Sequence, residues 1–343
     1  MPRPKFGYCL PIFANPTAGL FRTPAYEELD ARRTLELGVH AEQIGYDSLW
    51  VADHLMLGKD EAILEGWTTI SALGGATSRA QLGMIHQSHY FRSPALTAKM
   101  TATLDQLTGG RLIMFYDFGR QQREHAAYGF RYPDDVDERA RESVEGIELI
   151  MALWAANGPI SMTSGRDNVT DAVCTPGPVQ QPHPPIWFGE LEPALLSACA
   201  RFGQGWNTSP VELTELERRL GLLHAACEAE GRPFEEVEIS AELQVLIGSD
   251  EEVRASLAAM LELAPNQVDV DPELLSFARG QSESPPASFT ETTLIGPPEH
   301  IAEQLRRYVE AGVHHFLLWF LDAPSQAGMD LFTREVIPRF KRE

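Results

Sequence analysis

The sequence predicts an α/β fold, a (β/α)8 TIM barrel, with insertions after the fourth strand–helix unit and before the last strand. Short apolar runs alternate with amphipathic helical segments along nearly all of the 343 residues. Eight strand-like runs occur, and each except the last is followed by a helix, which is the order of parallel strands. The length suits an α/β barrel folded as one unit, so we expect a single domain over residues 1–343.

The predicted elements follow one another regularly. The strands are 6–13, 47–52, 81–86, 111–116, 185–188, 205–207, 238–247 and 314–320. The helices are 30–44, 67–76, 94–107, 136–154, 193–202, 213–230, 251–263 and 298–311, with 329–340 as a closing helix. Two stretches interrupt this order. Residues 157–181 are rich in Gly, Pro, Ser and Thr and indicate an insertion, and residues 265–291 indicate a long loop.

Composition and charge exclude several classes of function. The formal net charge of −21 opposes binding to nucleic acid or to an anionic membrane. No apolar stretch approaches the roughly 20 residues of a membrane helix, and the amino terminus lacks the pattern of a signal peptide. The four cysteines are scattered with no C-x-x-C pair, which favours a reducing cytoplasm and argues against disulfides or a zinc site. We therefore expect a cytoplasmic enzyme for a small-molecule substrate, without a metal.

The stretch Trp-Val-Ala-Asp-His at 50–54 is the most informative part of the chain. An apolar run that follows a helix and a tight turn ends in Asp53 and His54. In a parallel α/β fold, ligands and catalytic groups lie at the carboxyl ends of strands. Histidine is also the side chain that titrates nearest neutral pH. Asp53 and His54 are therefore the candidate catalytic residues, although a buried, hydrogen-bonded histidine would give the same pattern.

Several segments, in this order and spacing, resemble the bacterial luciferase-like superfamily of flavin- and deazaflavin-dependent oxidoreductases. They are W-V-A-D-H at 50–54, L-E-G-W-T-T at 64–69, Y-F-R-S-P-A-L-T-A-K-M at 90–100, L-D-Q-L-T-G-G-R-L at 104–112, A-A-Y-G-F at 126–130, P-V-Q-Q-P-H-P-P-I-W-F-G at 178–189, A-R-F-G-Q-G-W-N at 200–207 and G-P-P-E-H-I-A-E-Q-L at 296–305. The resemblance implies a barrel that holds reduced FMN, or the deazaflavin coenzyme F-420, at its carboxyl face. Members are often dimers, so a homodimer is expected.

The resemblance also implies roles for particular residues. His54 matches an imidazole beside the reactive part of the flavin ring, and Asp53 matches an acid next to it in the deazaflavin branch. Many relatives have a non-prolyl cis peptide at the end of the third strand, which would fall at Met84–Ile85. The expected cofactor-binding residues are Met84, Ile85, Gln87, Asp117, Gly119, Arg120 and Gly189. The expected residues of the substrate pocket are His86, His89, Trp206 and Trp319.

Two departures from the family pattern concern the phosphate of the cofactor. After the fourth strand, relatives have a glycine-rich turn, whereas this chain keeps only Gly119 beside the bulky Tyr116 and Phe118. Arg120 is placed to bind a phosphate, or to pair with Asp117 or Glu124 instead. After the fifth strand, Glu190 and Glu192 stand where a helix start would bind phosphate. They would either repel it or face solvent and complement the helix dipole.

The leading hypothesis is a monooxygenase that uses O2 and reduced FMN delivered by a separate flavin reductase. His54 would then handle a proton and Arg120 would anchor the phosphate. A second hypothesis is a deazaflavin-dependent hydride transfer. A third is a barrel that has lost flavin and binds a ligand or catalyses a cofactor-independent step. Substrate determinants are expected on loops 15–24, 55–63, 157–181 and 265–291, whose few charges favour a neutral, partly hydrophobic substrate.

Overall fold

The computed structural model describes residues 3–17, 19–264 and 270–340. The chain divides into two compact units. The first comprises Met1–Glu65, Thr208–Glu217 and Ile239–Glu343, and the second comprises Gly66–Asn207 and Arg218–Glu238.

The strands are short and mostly buried. They are β1 (Lys5–Cys9), β2 (Ser48–Ala52), β3 (Gln81–Ile85), β4 (Gln87–Ser88), β5 (Leu112–Asp117), β6 (Ile160–Ser164), β7 (Asp167–Ala172), β8 (Ile186–Phe188), β9 (Gly205–Thr208), β10 (Glu238–Ile247), β11 (Thr293–Gly296) and β12 (His315–Phe320).

Helices connect these strands. They are α1 (Ala31–Ile44), α2 (Gly66–Ala76), α3 (Pro94–Thr108), α4 (Gln122–Ala127), α5 (Val136–Ala155), α6 (Pro193–Phe202), α7 (Leu213–Glu230), α8 (Asp250–Glu262), α9 (Pro272–Ala278), α10 (Ala287–Thr290), α11 (Pro298–Glu310) and α12 (Ala327–Glu335). No helix in the described ranges has both the length and the apolar character needed to cross a membrane.

The first unit is built on a parallel sheet in the order β11–β10–β12–β1–β2. The register of β1 and β12 sets Phe6 level with Phe316, and their rings stack with centroids 5.7 Å apart. Phe332 of α12 meets the Phe6 ring edge-on at 5.5 Å. Buried aromatic rings bring large apolar areas out of water, so this cluster holds α12 against the sheet.

The second unit is built on a parallel sheet in the order β3–β5–β8–β9, and β4 also pairs with β5. Its helix boundaries follow from local chemistry. Ser93 caps α3, Pro94 occupies the first turn, and Gly109 with φ 68° ends the helix. Because neighbouring strands run parallel, the residues that follow β3, β5 and β8 emerge at the same edge of the sheet.

The eight predicted strands and nine predicted helical segments are present, with shifted ends. The largest shift is in β1, predicted over 6–13 but ending at Cys9. Pro11 cannot donate to a ladder, and the Ile12 N–H turns back to the carbonyl of Leu10 at 2.9 Å. The predicted closing helix is split into α12 and a short 3-10 turn over Ile337–Phe340.

The two stretches predicted as insertions contain regular secondary structure. Residues 157–181 contain the antiparallel hairpin β6–β7. The prediction of a long loop over 265–291 is wrong for its described part, which contains α9 and α10, while residues 265–269 lie outside the described residues. Asp271 caps α9 and Pro272 starts it, a local signal that outweighs the polar composition. β11 and α4 were not predicted, because four- and six-residue segments show too little periodicity.

Candidate active site

Three predicted site regions come together at the strand ends of the second unit. His86 follows β3, Asp117 ends β5 and Glu190 lies two residues after β8. One potential ligand atom from each lies within 4.8 Å of the others, a spacing that a cation could bridge. Two existing pairs, His86 with Asp117 and Arg120 with Glu190, already offset the carboxylate charges.

The His86–Asp117 pair is the buried half of this cluster. His86 Nδ1 lies 3.0 Å from Asp117 Oδ2, and the Gly119 N–H donates to Asp117 Oδ1 at 3.0 Å. Burial opposes ionisation of Asp117, but the hydrogen bond and charge of His86 outweigh it and lower the pKa of this carboxyl. His86 itself has φ 59°, a left-handed conformation that non-glycine residues rarely adopt. Asp117 is therefore a carboxylate at neutral pH and fixes the imidazole.

The Arg120–Glu190 pair is the more open half. Arg120 Nε donates to Glu190 Oε1 at 2.9 Å, and 48% of the arginine side chain is exposed. Burial and repulsion by Asp117 raise the pKa of Glu190, and Arg120 offsets them only in part. Glu190 is the weaker acid of the two because Asp117 has His86 and a backbone N–H, whereas Glu190 relies on a half-exposed guanidinium. The structure pairs Arg120 with Glu190.

Glu190 therefore does not face solvent, which was one of the two alternatives that the sequence left open for it. Glu192 does not cap α6, since its side chain makes no capping bond. Its Oε2 is buried without a hydrogen-bond partner among the described residues. A carboxylate paired with a guanidinium repels an incoming anion less than an unpaired carboxylate at the same place would.

Tyr116 and Phe118 do not fill the strand-end edge. The Tyr116 hydroxyl lies 2.7 Å from His89 Nδ1, and a Cβ on Gly146 of α5 would come within 2.9 Å of that hydroxyl. The Arg139 guanidinium stacks 5.1 Å from the centre of the Phe118 ring. Both rings thus pack on α5 and its neighbourhood.

The expected cis peptide at Met84–Ile85 is wrong. The cis bonds among the described residues all precede proline, at Thr175–Pro176, Gln181–Pro182 and Ala323–Pro324. The chain changes direction one residue later, at the left-handed His86, between β3 and β4. Met84 and Ile85 are buried in β3. Gln87 is buried in β4, and its Nε2 has no hydrogen-bond partner in the described part of the chain.

Gly189 is required by close packing. A Cβ at this position would lie 2.7 Å from the Phe115 ring and 3.4 Å from the His86 ring. Close packing also requires glycine at Gly119, where φ is 76° and a Cβ would lie 2.5 Å from Ser88 Oγ. These two glycines allow Phe115, Ser88 and His86 to approach the backbone at the strand ends.

Two of the predicted pocket residues of this unit are buried. His89 is bonded to Tyr116 and packs edge-on against Tyr90, and burial lowers its pKa to about 4. It is therefore neutral at physiological pH. Trp206 is fully buried, with its Nε1 directed at the Glu190 carbonyl at 3.4 Å.

The remaining predicted residues belong to the first unit. Asp53 and His54 follow β2 directly, and Asp53 is buried while His54 is half-buried. Trp319 of β12 is buried, with its indole N–H donating to Glu242 Oε2 at 3.1 Å.

Sequence reasoning missed Arg22 and Glu242 in this unit. Arg22 Nη2 lies 3.1 Å from Glu242 Oε2, and the Glu242 side chain is fully buried. A partial signal was present, because Glu242 lies between apolar residues of β10, in alternation with Ser240 and Gln244. An acid inside a buried strand needs a cationic or hydrogen-bonded partner. Its partner Arg22 lies 220 residues earlier in the chain, so no local pattern identifies it.

Comparison with known proteins adds three findings. A family model described as luciferase-like monooxygenase matches residues 5–315. The chain is 26% identical over 329 residues to an F420-dependent glucose-6-phosphate dehydrogenase of Kribbella flavida, covering 92% of this chain and 96% of that protein. It is also 26% identical over 328 residues to an F420-dependent hydroxymycolic acid dehydrogenase of Mycobacterium tuberculosis, covering 92% and 87%.

A solved structure shows the fold. An F420-dependent secondary alcohol dehydrogenase in complex with an F420-acetone adduct superposes with a TM-score of 0.77 at 20% identity, covering 99% of this chain and 100% of that one. This likeness confirms the predicted α/β (β/α)8 barrel fold.

The relatives correct the leading hypothesis. The prediction of a monooxygenase using FMN and O2 is wrong, because the curated relatives that match nearly the whole chain are F420-dependent dehydrogenases. The error arose because the motifs of the family are shared by its flavin and deazaflavin branches.

Proposed function

Because the chain belongs to the luciferase-like monooxygenase family, as its motifs predicted, we propose that it is an oxidoreductase that uses the deazaflavin coenzyme. It would transfer a hydride between that coenzyme and a small organic alcohol or carbonyl compound. The observation that carries the proposal is the match to F420-dependent dehydrogenases over 92% of the chain. A separate flavin reductase, expected with FMN, has no role in this reaction.

The residues of the second unit are compatible with the coenzyme. The buried Gln87 Nε2 lacks a partner among the described residues, and an unsatisfied buried amide donor is costly unless a ligand acceptor completes it. Arg120 offers a guanidinium at the same sheet edge, and the side chains of Tyr116 and Phe118 pack towards α5. We propose Met84, Ile85, Gln87, Asp117, Gly119, Arg120 and Gly189 as the residues that hold it. The coenzyme, when bound, supplies the hydride acceptor or donor.

A proton must move with the hydride when an alcohol becomes a carbonyl. We propose that His54 in the first unit holds this proton and that Asp53 is a positioning residue for its ring. The supporting observations are their place directly after β2 and the half-buried state of His54.

The first unit also offers a cavity of suitable size. Its volume is about 540 Å³, within the range of small-molecule sites, and it is lined by Asn15, Pro16, Thr17, Gly58, Lys59 and Asp60, with Glu27 and Leu263. These residues include parts of loops 15–24 and 55–63, two of the four loops expected to choose the substrate.

We keep a single domain over 1–343, a homodimer and a cytoplasmic location as predictions.

The decisive experiment is an anaerobic titration of the purified protein with the deazaflavin coenzyme and, in parallel, with FMN, followed by fluorescence and calorimetry. We expect saturable micromolar binding of the deazaflavin and much weaker binding of FMN. Oxygen uptake is measured in the same preparation and should be nil. Tight FMN binding with substrate-dependent oxygen uptake would refute the proposal.

The role of His54 is tested by His54→Ala. We expect loss of turnover with unchanged coenzyme affinity and unchanged melting temperature. His224→Ala serves as the matched control because 51% of the His224 side chain is exposed. Normal turnover of the His54 variant would exclude it as the proton-handling group.

A further inference from the structure

Arg22 is an arginine held almost out of water in the loop between β1 and α1. Only 13% of its side chain is exposed. Its guanidinium carbon lies 4.4 Å from the centre of the Trp319 ring and 4.8 Å from that of Phe21. Its Nη2 pairs with Glu242 Oε2 at 3.1 Å. An aromatic ring face attracts a guanidinium placed over it, more strongly when the contact is desolvated.

The backbone of this loop is fixed to the same strand as the carboxylate. The Arg22 N–H donates to Gln244 Oε1 at 2.6 Å. Glu242 and Gln244 are two residues apart in β10, so both side chains leave the same face of the strand. Glu242 Oε2 also accepts from Trp319 Nε1, and Gln244 lies level with Trp319 in the β10–β12 register. The guanidinium is therefore held in one place before any ligand binds.

Most donors of this guanidinium are uncommitted. An arginine carries five N–H groups, and the Glu242 pair engages Nη2 alone. Nε and Nη1 make no hydrogen bond within the described ranges. A nearly buried donor is stable only when water or a ligand oxygen accepts from it. The apolar rings beside it and the fixed planar fork suit an oxygen atom on a partly apolar molecule.

The charge of the site limits which oxygen it takes. The Glu242 carboxylate already matches the single positive charge of Arg22. A phosphate dianion placed on the same guanidinium would face Glu242 across it, and in a low-dielectric site this repulsion offsets most of the attraction. A neutral carbonyl or hydroxyl oxygen gains the hydrogen bonds without that repulsion.

From this geometry we infer that Arg22 is a substrate-binding residue that donates hydrogen bonds to the carbonyl or hydroxyl oxygen of a neutral, partly apolar substrate and discriminates against phosphorylated ones. The inference rests on the proposed function, and it separates this chain from relatives named for glucose 6-phosphate. Phe21, 43% exposed, and Trp319 flank the site and supply its apolar walls.

The test uses Arg22→Lys, which keeps a positive charge for Glu242 but removes the planar fork. Binding of cyclohexanone, cyclohexanol and glucose 6-phosphate is measured by calorimetry on the coenzyme-loaded protein and on the protein alone. We expect the wild type to bind the neutral probes and not the dianion. The lysine variant should weaken neutral binding about tenfold or more, the value of roughly one charge-assisted hydrogen bond, and should raise KM while kcat changes little.

Arg32→Lys is the matched control, since Arg32 is exposed on α1 and its guanidinium makes no bond among the described residues. If Arg22→Lys lowers the melting temperature, the neutral double variant Arg22→Gln/Glu242→Gln replaces it, and binding of the neutral probes should again weaken. Unchanged binding of the neutral probes in either variant overturns the inference. Preferred binding of glucose 6-phosphate, or no binding of any probe to the wild type, also overturns it.

The calorimetric results on the protein alone do not depend on coenzyme binding. Failure of the deazaflavin to bind would refute the proposed function, while the calorimetry on the protein alone would still report on Arg22.

Discussion

Two arginine–glutamate pairs, one in each unit, have nearly the same length and very different surroundings. Arg22 and Glu242 are 3.1 Å apart, and Arg120 and Glu190 are 2.9 Å apart. The Arg22 side chain is 13% exposed, whereas that of Arg120 is 48% exposed. The distance therefore does not set the energetic role of either pair. Solvent screens the second pair, whereas the carboxylate of the first pair is fully buried.

The acids differ as well. Glu242 forms an ion pair with Arg22 and accepts a hydrogen bond from the Trp319 indole. Glu190 shares its surroundings with the buried Asp117, which raises its pKa. The first pair is thus a fixed electrostatic unit, and the second is a pair whose charge depends on pH.

The largest expected effect is on folding stability. Arg22→Leu should lower the free energy of unfolding by about 3–5 kcal/mol, because it leaves the buried Glu242 without its cation. Urea unfolding at neutral pH measures this. If the double variant Arg22→Leu/Glu242→Leu recovers most of the lost unfolding free energy, the unpaired charge of Glu242 is the cause of the loss. A loss below about 1 kcal/mol would show that Glu242 is not held as a buried ion.

A change of intermediate size is expected at the second site. Gly189→Ala should cost about 1–3 kcal/mol, because its Cβ would meet the Phe115 ring at 2.7 Å and push it towards His86. Thermal unfolding is the measurement. Gly221→Ala in α7 is the matched control, since its Cβ meets nothing within 4 Å, and it should be neutral or stabilising. Equal melting temperatures of Gly189→Ala and Gly221→Ala would contradict the close packing around Gly189.

Arg120→Leu should have a small effect on stability, under about 1 kcal/mol, because the pair is half exposed and screened. The same variant should weaken deazaflavin binding if Arg120 contacts an anionic group of the coenzyme. Urea unfolding and the anaerobic titration are read side by side. A loss of unfolding free energy as large as that of Arg22→Leu would show that the two ion pairs contribute equally to stability, contrary to this expectation.

The subtlest difference is in pH dependence. A carboxyl whose pKa is raised on folding keeps a proton that the unfolded chain has released, so its stability contribution falls as pH rises through that pKa. We expect the wild type to lose stability between about pH 5 and pH 9 at Glu190, and Glu190→Gln to flatten this decline. Asp117→Asn should flatten it too, since burial and the Asp117 charge raise the Glu190 pKa.

Glu148→Gln, at a pair with Arg201 where both side chains are well exposed, is the control for the pH experiment. A decline that persists unchanged in Glu190→Gln would assign the slope to another group.

The positions of most elements could be read from the chain, because periodicity and caps are local. Pro94 with Ser93 starts α3, and the apolar run before Asp53 ends as β2. The family motifs also fixed the barrel and the oxidoreductase class. They did not separate FMN from the deazaflavin, because both branches share them. The misplaced cis peptide has the same origin, since a family feature was carried to a strand that turns at His86 instead.

The sequence by itself determined which residues form strands and helices, since those choices depend on neighbours three or four positions away. It also determined that polar groups would stand after β2, β3, β5 and β8. Only the tertiary structure decided which of them meet. Arg22 reaches Glu242 across 220 residues, and Glu190 turns to Arg120 rather than to solvent. Burial decides the charge of such groups, and burial is a property of the packed fold rather than of the residue order.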